Sequence, residues 1–178
     1  MLYTGKGDDG KTNTFGCDQR ISKSSATAEA LGSLDEINSF LGLVKVSCMK
    51  KESDFVQIVH DIQENLFIVQ AEVAGSVMFI SQEKVLEVER IIKEIELKLP
   101  PIKTFFISGG TELASLFDFS RTLVRRAERR VVLVKEENLV KVSDTTSAYL
   151  NRLSSLLYAL ARLSNHLSGI NEEPPKYK

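Results

Sequence analysis

Apolar residues recur every three or four positions along most of the chain that follows residue 24. Side chains at this spacing share one face of an α-helix, because one turn contains about 3.6 residues. Breaks in the pattern coincide with Ser, Thr, Asp, Gly or Pro, which favour helix ends. The pattern predicts five helices: from Ser24 or Ser25 to about Lys50, from Ser53 or Asp54 through Val77, from Ser81 to Leu99, from Thr111 to about Glu137, and from Thr145 to Gly169.

Five amphipathic helices with short connections, and no credible sheet, predict an all-α fold with up-and-down topology. We expect a single domain over residues 1–178, divided into an N-terminal glycine-rich loop (1–23), a helical bundle (24–169) and a tail (170–178). The tail contains Pro174 and Pro175 and is expected to trail off. Ligand sites in such a bundle must lie between helices or between subunits.

Residues 5–12 match the phosphate-loop pattern G-x-x-x-x-G-K-[ST]. Only four residues precede the match, too few for the buried strand of an ordinary phosphate-loop protein, and residues 13–16 are predicted to form a turn or short strand. Glycine amides and Lys11 can still surround an anion in such a loop. Two interpretations stay open: a triphosphate-binding loop on an unusual fold, or a polar turn that happens to fit a permissive pattern.

The composition excludes several classes of function. With 23 basic and 24 acidic residues the net charge is −1, which does not favour nucleic acid or an anionic membrane as a partner. No apolar run approaches the roughly 18 residues that span a bilayer. Cys17 and Cys48 lack metal-ligand spacing and, with no signal peptide, are expected to be reduced thiols in a cytoplasmic protein. His60 and His166 are far apart, so a histidine-based metal site or triad is not expected.

The fourth predicted helix is rich in arginine. Arg121, Arg125 and Glu128 share the face opposite the apolar stripe. Within this predicted helix no Lys occurs before Lys135. Arginine is preferred where a planar fork must bind phosphate or carboxylate. The alternative is a solvated charged face, which is the usual meaning of a charge run on a helix.

Polar and aromatic residues elsewhere also leave alternatives open. Asp35 is either an exposed acid or an anchor for one of the arginines. Asn151 is a poor mid-helix residue, so it either makes a hydrogen bond or lies at the surface. Phe105 and Phe106, just before a predicted helix start, are typical of core packing.

Taken together, these segments resemble the ATP:cob(I)alamin adenosyltransferases of the propanediol-utilisation type. The resemblance runs through nearly the whole chain. Proteins of this family have a glycine-rich ATP loop on a helical bundle, as the motif and the helix pattern of this chain suggest. Its motifs are Tyr3-Thr4-Gly5-Lys6-Gly7-Asp8-Asp9-Gly10-Lys11-Thr12, Lys23, Gly32-x-x-Asp35-Glu36-x-Asn38-Ser39, Phe105-Phe106-Ile107-Ser108-Gly109-Gly110, Arg121-x-x-x-Arg125-Arg126-Ala127-Glu128-Arg129 and Asn151-Arg152-Leu153-Ser154.

The resemblance implies transfer of the 5′-deoxyadenosyl group of ATP, bound with Mg²⁺, to cobalamin as substrate. It also implies a homotrimer with active sites at subunit interfaces, and allows hand-over of the product to a cobalamin-dependent enzyme. The ATP-binding positions it implies are Thr4, Gly5, Lys6, Gly7, Thr12, Asn13, Lys23, Arg125, Arg126, Glu128, Arg129 and Asn151. Arg125, Asp35, Arg121 and Phe105 are implied to serve catalysis.

The resemblance implies that Asp35 and Arg121 form a salt bridge between subunits. It also implies that Phe105 lies near the corrin, where it favours loss of the lower axial ligand.

Three positions depart from the family pattern. Ser108 stands where a Pro is usual, Asp118 where a His is common, and Ser155 where an Asp usually follows the Asn-Arg-Leu-Ser run. An acid at position 118 can either tune nearby arginines or weaken affinity for an anionic partner, and Arg152 needs another partner if the missing Asp normally orients it.

Two other classes of function remain as alternatives. One is a non-catalytic ATP-binding module, such as a sensor or a cobalamin carrier, on the same bundle. The other is a purely structural bundle, which does not explain why a glycine loop and an arginine-dense strip occur together.

Overall fold

The computed structural model describes residues 2–14, 20–51 and 53–177. Within these ranges it confirms a bundle of five helices and adds one small antiparallel sheet. The elements are β1 (Lys11–Asn13), β2 (Arg20–Ser22), α1 (Ala26–Lys50), α2 (Phe55–Val73), α3 (Gln82–Glu96), α4 (Glu112–Glu136) and α5 (Asp144–Leu167). No helix in the part of the chain that the structure describes is both long and apolar enough to cross a membrane.

Three of the helices begin at a hydroxyl residue that caps the first turn. The Ser25 hydroxyl accepts a hydrogen bond from the Ala28 amide at 3.3 Å at the start of α1. Thr111 and Ser143 do the same for α4 and α5, each at 3.1 Å. Such caps satisfy amides that have no partner within the helix. Because capping residues are of a few types, these helix starts can be predicted from the sequence.

Helix α5 forms the centre of the bundle and packs against α3 and α4, while α1 packs against α2 and α4. Leu153, Leu157, Leu160 and Tyr149 on α5 are almost completely buried. Burying each of the leucines contributes about 1.5–3 kcal/mol relative to leaving it exposed. The core therefore fixes α4 and α5 most firmly, and these two helices carry most of the polar residues of interest.

Helices α1 and α4 run antiparallel. Glu29, near the start of α1, pairs with Arg130 near the end of α4, at 3.7 Å between Oε2 and Nη2. One to two turns further along α1, Glu36 pairs with Arg126. The start of α1, which directly follows the hairpin β1–β2, thus lies beside the C-terminal half of α4.

The expectation that the chain has no sheet was wrong. Lys11, Thr12 and Asn13 pair with Ser22, Ile21 and Arg20. The residues of both strands are exposed or half-buried. The strands therefore lack the alternation of apolar and polar residues from which a strand is predicted. Of the predicted turn or short strand over 13–16, positions 15 and 16 lie outside the described residues, as does Cys17.

The predicted second and third helices extended too far. Helix α2 ends at Val73, Gly75 follows with a φ of +95°, and Val77 is 93% exposed rather than part of the apolar stripe. A positive φ stops an α-helix, and spacing alone does not show it. Helix α3 likewise ends at Glu96, before Leu99.

The prediction that the tail trails off was also wrong. The Glu172 carboxylate forms an ion pair with Arg162 on α5, and the Glu173 carbonyl accepts a hydrogen bond from the Ile107 amide at 2.8 Å. The segment 170–177 therefore returns to the connection between α3 and α4. Lys178 lies outside the described residues.

Gly110 ends this connection in a conformation that requires glycine. Its φ is +103°, and a Cβ atom there would come within 2.7 Å of Asn165 Cγ. Asn165 is itself fixed, because its amide group donates to the Gly109 carbonyl at 2.8 Å and its oxygen accepts from the Thr111 amide at 2.9 Å. Moving Asn165 to make room would break both bonds.

We therefore expect Gly110→Ala to lower the free energy of unfolding by about 2–4 kcal/mol, combining backbone strain with the loss of Asn165 hydrogen bonds. Gly75→Ala is the matched control, because Gly75 has a similar φ but nothing within 4 Å of its would-be Cβ. Chemical denaturation of the two variants measures the difference. Equal losses would show that Asn165 does not restrict this position.

Candidate active site

The N-terminal hairpin surrounds a cavity of 670 Å³ that is rich in positive charge. Its lining residues are Thr4, Lys6, Gly7, Lys11, Thr12, Asn13, Arg20 and Lys23. Six of the positions implied to bind ATP are thus brought together, with four cationic side chains among the lining residues. This is the chemistry of a polyanion site, in which amides, hydroxyls and cations face one concave surface.

The backbone of the hairpin explains why glycines occur in this loop. Gly5 and Gly10 have φ values of +66° and +77°, and the Gly10 carbonyl accepts a hydrogen bond from the Lys23 amide at 2.9 Å. A Cβ at Gly7 would lie 3.0 Å from Lys23 Nζ. The absence of a side chain at Gly7 therefore lets the Lys23 ammonium lie directly against the loop.

Arg20 is a residue of this cavity that sequence reasoning missed. Its guanidinium forms a two-pronged ion pair with Asp9, at 2.9 Å for Nη1–Oδ2 and 2.8 Å for Nη2–Oδ1, and it also donates to the Lys6 carbonyl. The hydrogen bonds that Asp9 accepts from Arg20 and from the Lys11 amide lower the pKa of its carboxyl. Arg20 belongs to no motif, and only the return strand of a hairpin would have placed it opposite Asp9.

A second cavity, of 610 Å³, lies between α4, α5 and the loop of residues 97–111 that connects α3 to α4. Its lining residues are Ile102, Lys103, Thr104, Phe105, Phe106, Ser108, Asp118, Arg121, Arg125, Ser154, Ser155 and Tyr158. Phe105, Arg121 and Arg125, three of the four positions implied to serve catalysis, are therefore together. The walls combine aromatic faces with guanidinium groups.

Phe105 does not pack in the core. Its side chain is 80% exposed at the cavity, so the expectation of core packing was wrong for this residue. The neighbouring Phe106 is half-buried, with the Arg162 guanidinium 5.4 Å from its ring centroid. Phe105, the exposed Ile102 and Phe106 together give the cavity an apolar wall, which is typical of a surface that a ligand covers.

Arg121 is held by Asp118, with 2.7 Å between Nε and Oδ1, and its guanidinium carbon lies 5.9 Å from the centre of the Tyr158 ring. The acid at position 118 thus orients an arginine, as the sequence suggested. Burial raises the pKa of the Tyr158 phenol. Asp35 is exposed and forms no ion pair with the described residues of its own chain, so its pairing with Arg121 of another subunit stays a prediction.

The arginines of α4 divide into two groups. Arg126 and Arg130 form the ion pairs with α1 already described, so they help to hold the bundle. Arg125 and Arg129 are exposed and have no ion pair among the described residues. The side chains in these two ion pairs are 44–52% exposed, so this part of α4 is a solvated charged face, on which Arg125 and Arg129 are available to bind an anion.

Asn151 is exposed and also makes hydrogen bonds, so both interpretations of its mid-helix position hold. Its amide group donates to Glu128 at 3.3 Å, and its oxygen accepts from Arg152 at 2.8 Å. Arg152 Nε donates to Glu89 on α3 at 3.0 Å. Glu89 therefore orients Arg152 in this chain, in which Ser155 occupies the position where an Asp is usual.

The two cavities have no lining residue in common. Thr4, Lys6, Gly7, Thr12, Asn13 and Lys23 line the first cavity, whereas Arg125 lines the second. No cluster of three or more His, Cys, Asp or Glu side chains that could hold a metal occurs among the described residues. Within one chain the cationic loop and the aromatic cavity are separate features.

The bundle carries a cationic glycine loop and, separately, an aromatic cavity flanked by arginines. A protein of this kind is suited to binding a polyanion and a large apolar ligand. The sequence profile of the cobalamin adenosyltransferase family matches residues 2–164, and the chain belongs to this family. The structure is also similar to that of a variant PduO-type ATP:corrinoid adenosyltransferase from Lactobacillus reuteri complexed with cobalamin and ATP. The TM-score is 0.90 at 28% identity, over 99% of this chain and 97% of the other.

Curated relatives agree with this assignment. The chain is 39% identical to the corrinoid adenosyltransferase PduO of Citrobacter freundii and 37% identical to that of Salmonella typhimurium, over 93% and 98% of its own length. It spans only about half of these two relatives, 50% and 54% respectively. It is also 37% identical to the corrinoid adenosyltransferase of Bacillus subtilis, over 96% of this chain and 90% of that protein.

Proposed function

We propose that this protein transfers the 5′-deoxyadenosyl group of ATP to cob(I)alamin and releases inorganic triphosphate. The observation that carries the proposal is the presence of two complementary cavities in a chain of this family. One is lined by four cationic side chains and glycine backbone, and the other by an exposed phenylalanine beside Arg121 and Arg125. They suit, respectively, the triphosphate of ATP and the apolar face of a corrin.

The triphosphate would bind at the hairpin cavity. Lys6, Lys11 and Lys23 supply charge, and the glycine backbone allows amides to approach the phosphate oxygens. Mg²⁺ fits this arrangement only if phosphate oxygens provide most of its ligands, because the side-chain oxygens of the lining are those of Thr4, Thr12 and Asn13 and none is a carboxylate.

The corrin would bind at the second cavity, against Phe105. A phenyl ring under the macrocycle occupies space that the lower axial ligand or water would need, and so favours a four-coordinate cobalamin, which is easier to reduce to cobalt(I). Arg125 lies in the same cavity and would reach toward the triphosphate end of ATP.

The reaction needs no side-chain nucleophile, because cobalt(I) of the substrate supplies the electron pair. A Co–C bond forms to the 5′ carbon of ATP, the C–O bond to the triphosphate breaks, and its electrons remain on the leaving triphosphate. The protein must align the two substrates and stabilise the charge that develops on the leaving group. Arg125 and the lysines of the hairpin serve the second task.

A homotrimer with its active sites between subunits would unite the two cavities. Around Phe40 and Phe119, whose ring centroids are 5.0 Å apart, Leu43 and Val46 extend an apolar surface across α1 and α4. Leu43 and Phe119 are 55% and 53% exposed in the single chain, which favours burial against another copy. On this arrangement Asp35 pairs with Arg121 of the neighbouring subunit.

A cytoplasmic location, and hand-over of adenosylcobalamin to a cobalamin-dependent enzyme, complete the proposal. The buried free thiol of Cys48 is consistent with a reducing compartment.

The decisive experiment is an anaerobic assay with ATP, Mg²⁺ and chemically reduced cobalamin, in which the visible spectrum and triphosphate are followed together. We expect a light-sensitive alkylcobalamin and triphosphate in equal amounts. No conversion despite stabilisation by ATP in thermal unfolding would favour the ATP-binding module. If ATP gives no stabilisation and cobalamin is not converted, a structural bundle would be favoured.

Arg125→Ala should lower kcat/KM by about tenfold or more, because a charge-assisted hydrogen bond to the triphosphate contributes about 1.5–3 kcal/mol. Arg90→Ala is the matched control, since Arg90 lies on the exposed surface of α3 and lines neither cavity. The assay above measures both variants. Activity of Arg125→Ala within twofold of the parent would mean that Arg125 is only a surface residue.

Mixed oligomers test whether the two cavities act together across subunits. Lys23→Ala and Arg125→Ala should each have low activity, but co-expressed chains should recover roughly a quarter of the parent activity. The fraction follows because half of the loops and half of the arginines at randomly formed interfaces are intact. Oligomers of either variant alone provide the control. Absence of recovery in mixed oligomers of confirmed composition would place each site within a single chain.

Phe105→Ala should slow the reaction that starts from cob(II)alamin and a reductant, with little change in ATP affinity, because it removes the aromatic wall and leaves the cationic loop intact. We expect a loss of about tenfold or more. Phe79→Ala, at an exposed phenylalanine of the α2–α3 connection, is the control. A collapse of ATP affinity instead would show that Phe105 acts through packing.

A further inference from the structure

We propose that the buried ion pair between Arg162 and Glu172 positions the aromatic wall of the second cavity. Through this pair the C-terminal segment 170–177 holds the loop of residues 97–111, and Arg162 and Glu172 are thus positioning residues for the corrinoid. The corrinoid part of this inference rests on the proposed function. The mechanical part, that the pair orders the loop, does not.

Arg162 contacts three separate parts of the chain. Its Nε lies 2.9 and 3.1 Å from the two carboxylate oxygens of Glu172, and its Nη2 donates to the Pro100 carbonyl at 3.1 Å. The guanidinium also lies against the Phe106 ring. One side chain therefore joins the start of the loop, its middle and the C-terminal segment.

Two further contacts complete the attachment of the loop. The Glu173 carbonyl accepts a hydrogen bond from the Ile107 amide, next but one to Phe105. Asn165, at the end of α5, holds Gly109 and Thr111. The loop has no regular secondary structure from residue 100 to residue 111, so these contacts decide where the exposed Phe105 ring stands.

Burial makes the ion pair a strong constraint. The Arg162 side chain is only 6% exposed and the Glu172 side chain 17%. A guanidinium removed from water needs acceptors in fixed directions, and loss of one leaves a charge that the surroundings do not compensate. The loop and the C-terminal segment can therefore separate only if Arg162 loses its carboxylate partner.

One partner of the ion pair lies outside the region that defines the family. The family profile ends at residue 164, so Glu172 and Glu173 lie beyond the matched region. The pair also lies outside the lining of the second cavity. It lines a small adjoining cavity that shares Phe106, Ser108, Asp118 and Tyr158 with the second cavity, so the pair acts on the site through the loop and through Tyr158.

The test compares Glu172→Gln with Glu173→Gln in the full chain. The first substitution removes the carboxylate from Arg162, whereas the second changes an exposed side chain and keeps the backbone carbonyl that binds Ile107. Hydrogen exchange, read residue by residue, should show faster exchange of the Ile107 and Thr111 amides in Glu172→Gln only. Exchange in α1 and α2 should remain at parent values.

Kinetics then separate positioning from general stability. Glu172→Gln should raise the KM for cob(I)alamin about tenfold, the loss expected for one charge-assisted contact, and should leave the KM for ATP within about twofold. Glu173→Gln should match the parent in both. Val69→Ala, a core substitution in α2, should lower thermal stability without altering either KM.

Each outcome decides the proposal. Unchanged exchange at Ile107 in Glu172→Gln overturns it, and so does faster exchange with an unchanged KM for cob(I)alamin. A parallel rise in both KM values, or the same rise in Val69→Ala, would reduce the pair to a structural role and also overturn it. If the parent converts no cobalamin, the proposed function and the corrinoid part fail together, while hydrogen exchange still decides whether the pair orders the loop.

Discussion

The burial of α5 between α3 and α4 is the constraint on which the segments at both ends of this helix depend. Its apolar residues fill the core, and its two ends carry polar groups that fix other segments. At the start, the buried Glu72 carboxylate accepts from the Ser143 amide at 2.7 Å and from the Thr146 hydroxyl. At the end, Arg162 and Asn165 hold the loop that carries Phe105. The second cavity is therefore built partly on the helix with the most buried residues among those described.

The N-terminal hairpin is stabilised by different forces. Its strands are three residues long and have no buried side chains, so burial contributes little to them. The ion pair between Arg20 and Asp9 and the bond from the Lys23 amide to the Gly10 carbonyl fix its shape. Exposed ion pairs are weak in water. We therefore infer that a bound polyanion would supply much of the free energy that holds this loop in one conformation.

The sequence predicts the features that follow from periodicity or local motifs, and misses those that depend on distant contacts. Helix α4 is bounded within a residue because Thr111 caps it and an apolar stripe runs through it. The end of α2 was misplaced because Gly75 ends it through a positive φ, which spacing does not show. Arg20 and Glu172 were missed as contributors because their partners, Asp9 and Arg162, are 11 and 10 positions away, on other elements or across a turn.

The division of polar and aromatic chemistry between two cavities gives a physical reason for a site shared by subunits. A triphosphate needs a hydrated, cationic and adaptable loop, whereas a corrin face needs a rigid apolar wall. Building both on one short chain would bring the charged loop against the aromatic cavity and reduce the exclusion of water from the reacting cobalt. If each subunit offers its loop to a neighbour, as proposed, the cationic loop of one chain faces the aromatic cavity of the next, and the two substrates bind between them. The arginines of α4 are suited to this boundary, because a guanidinium can stack on aromatic faces and bind phosphate with its edge.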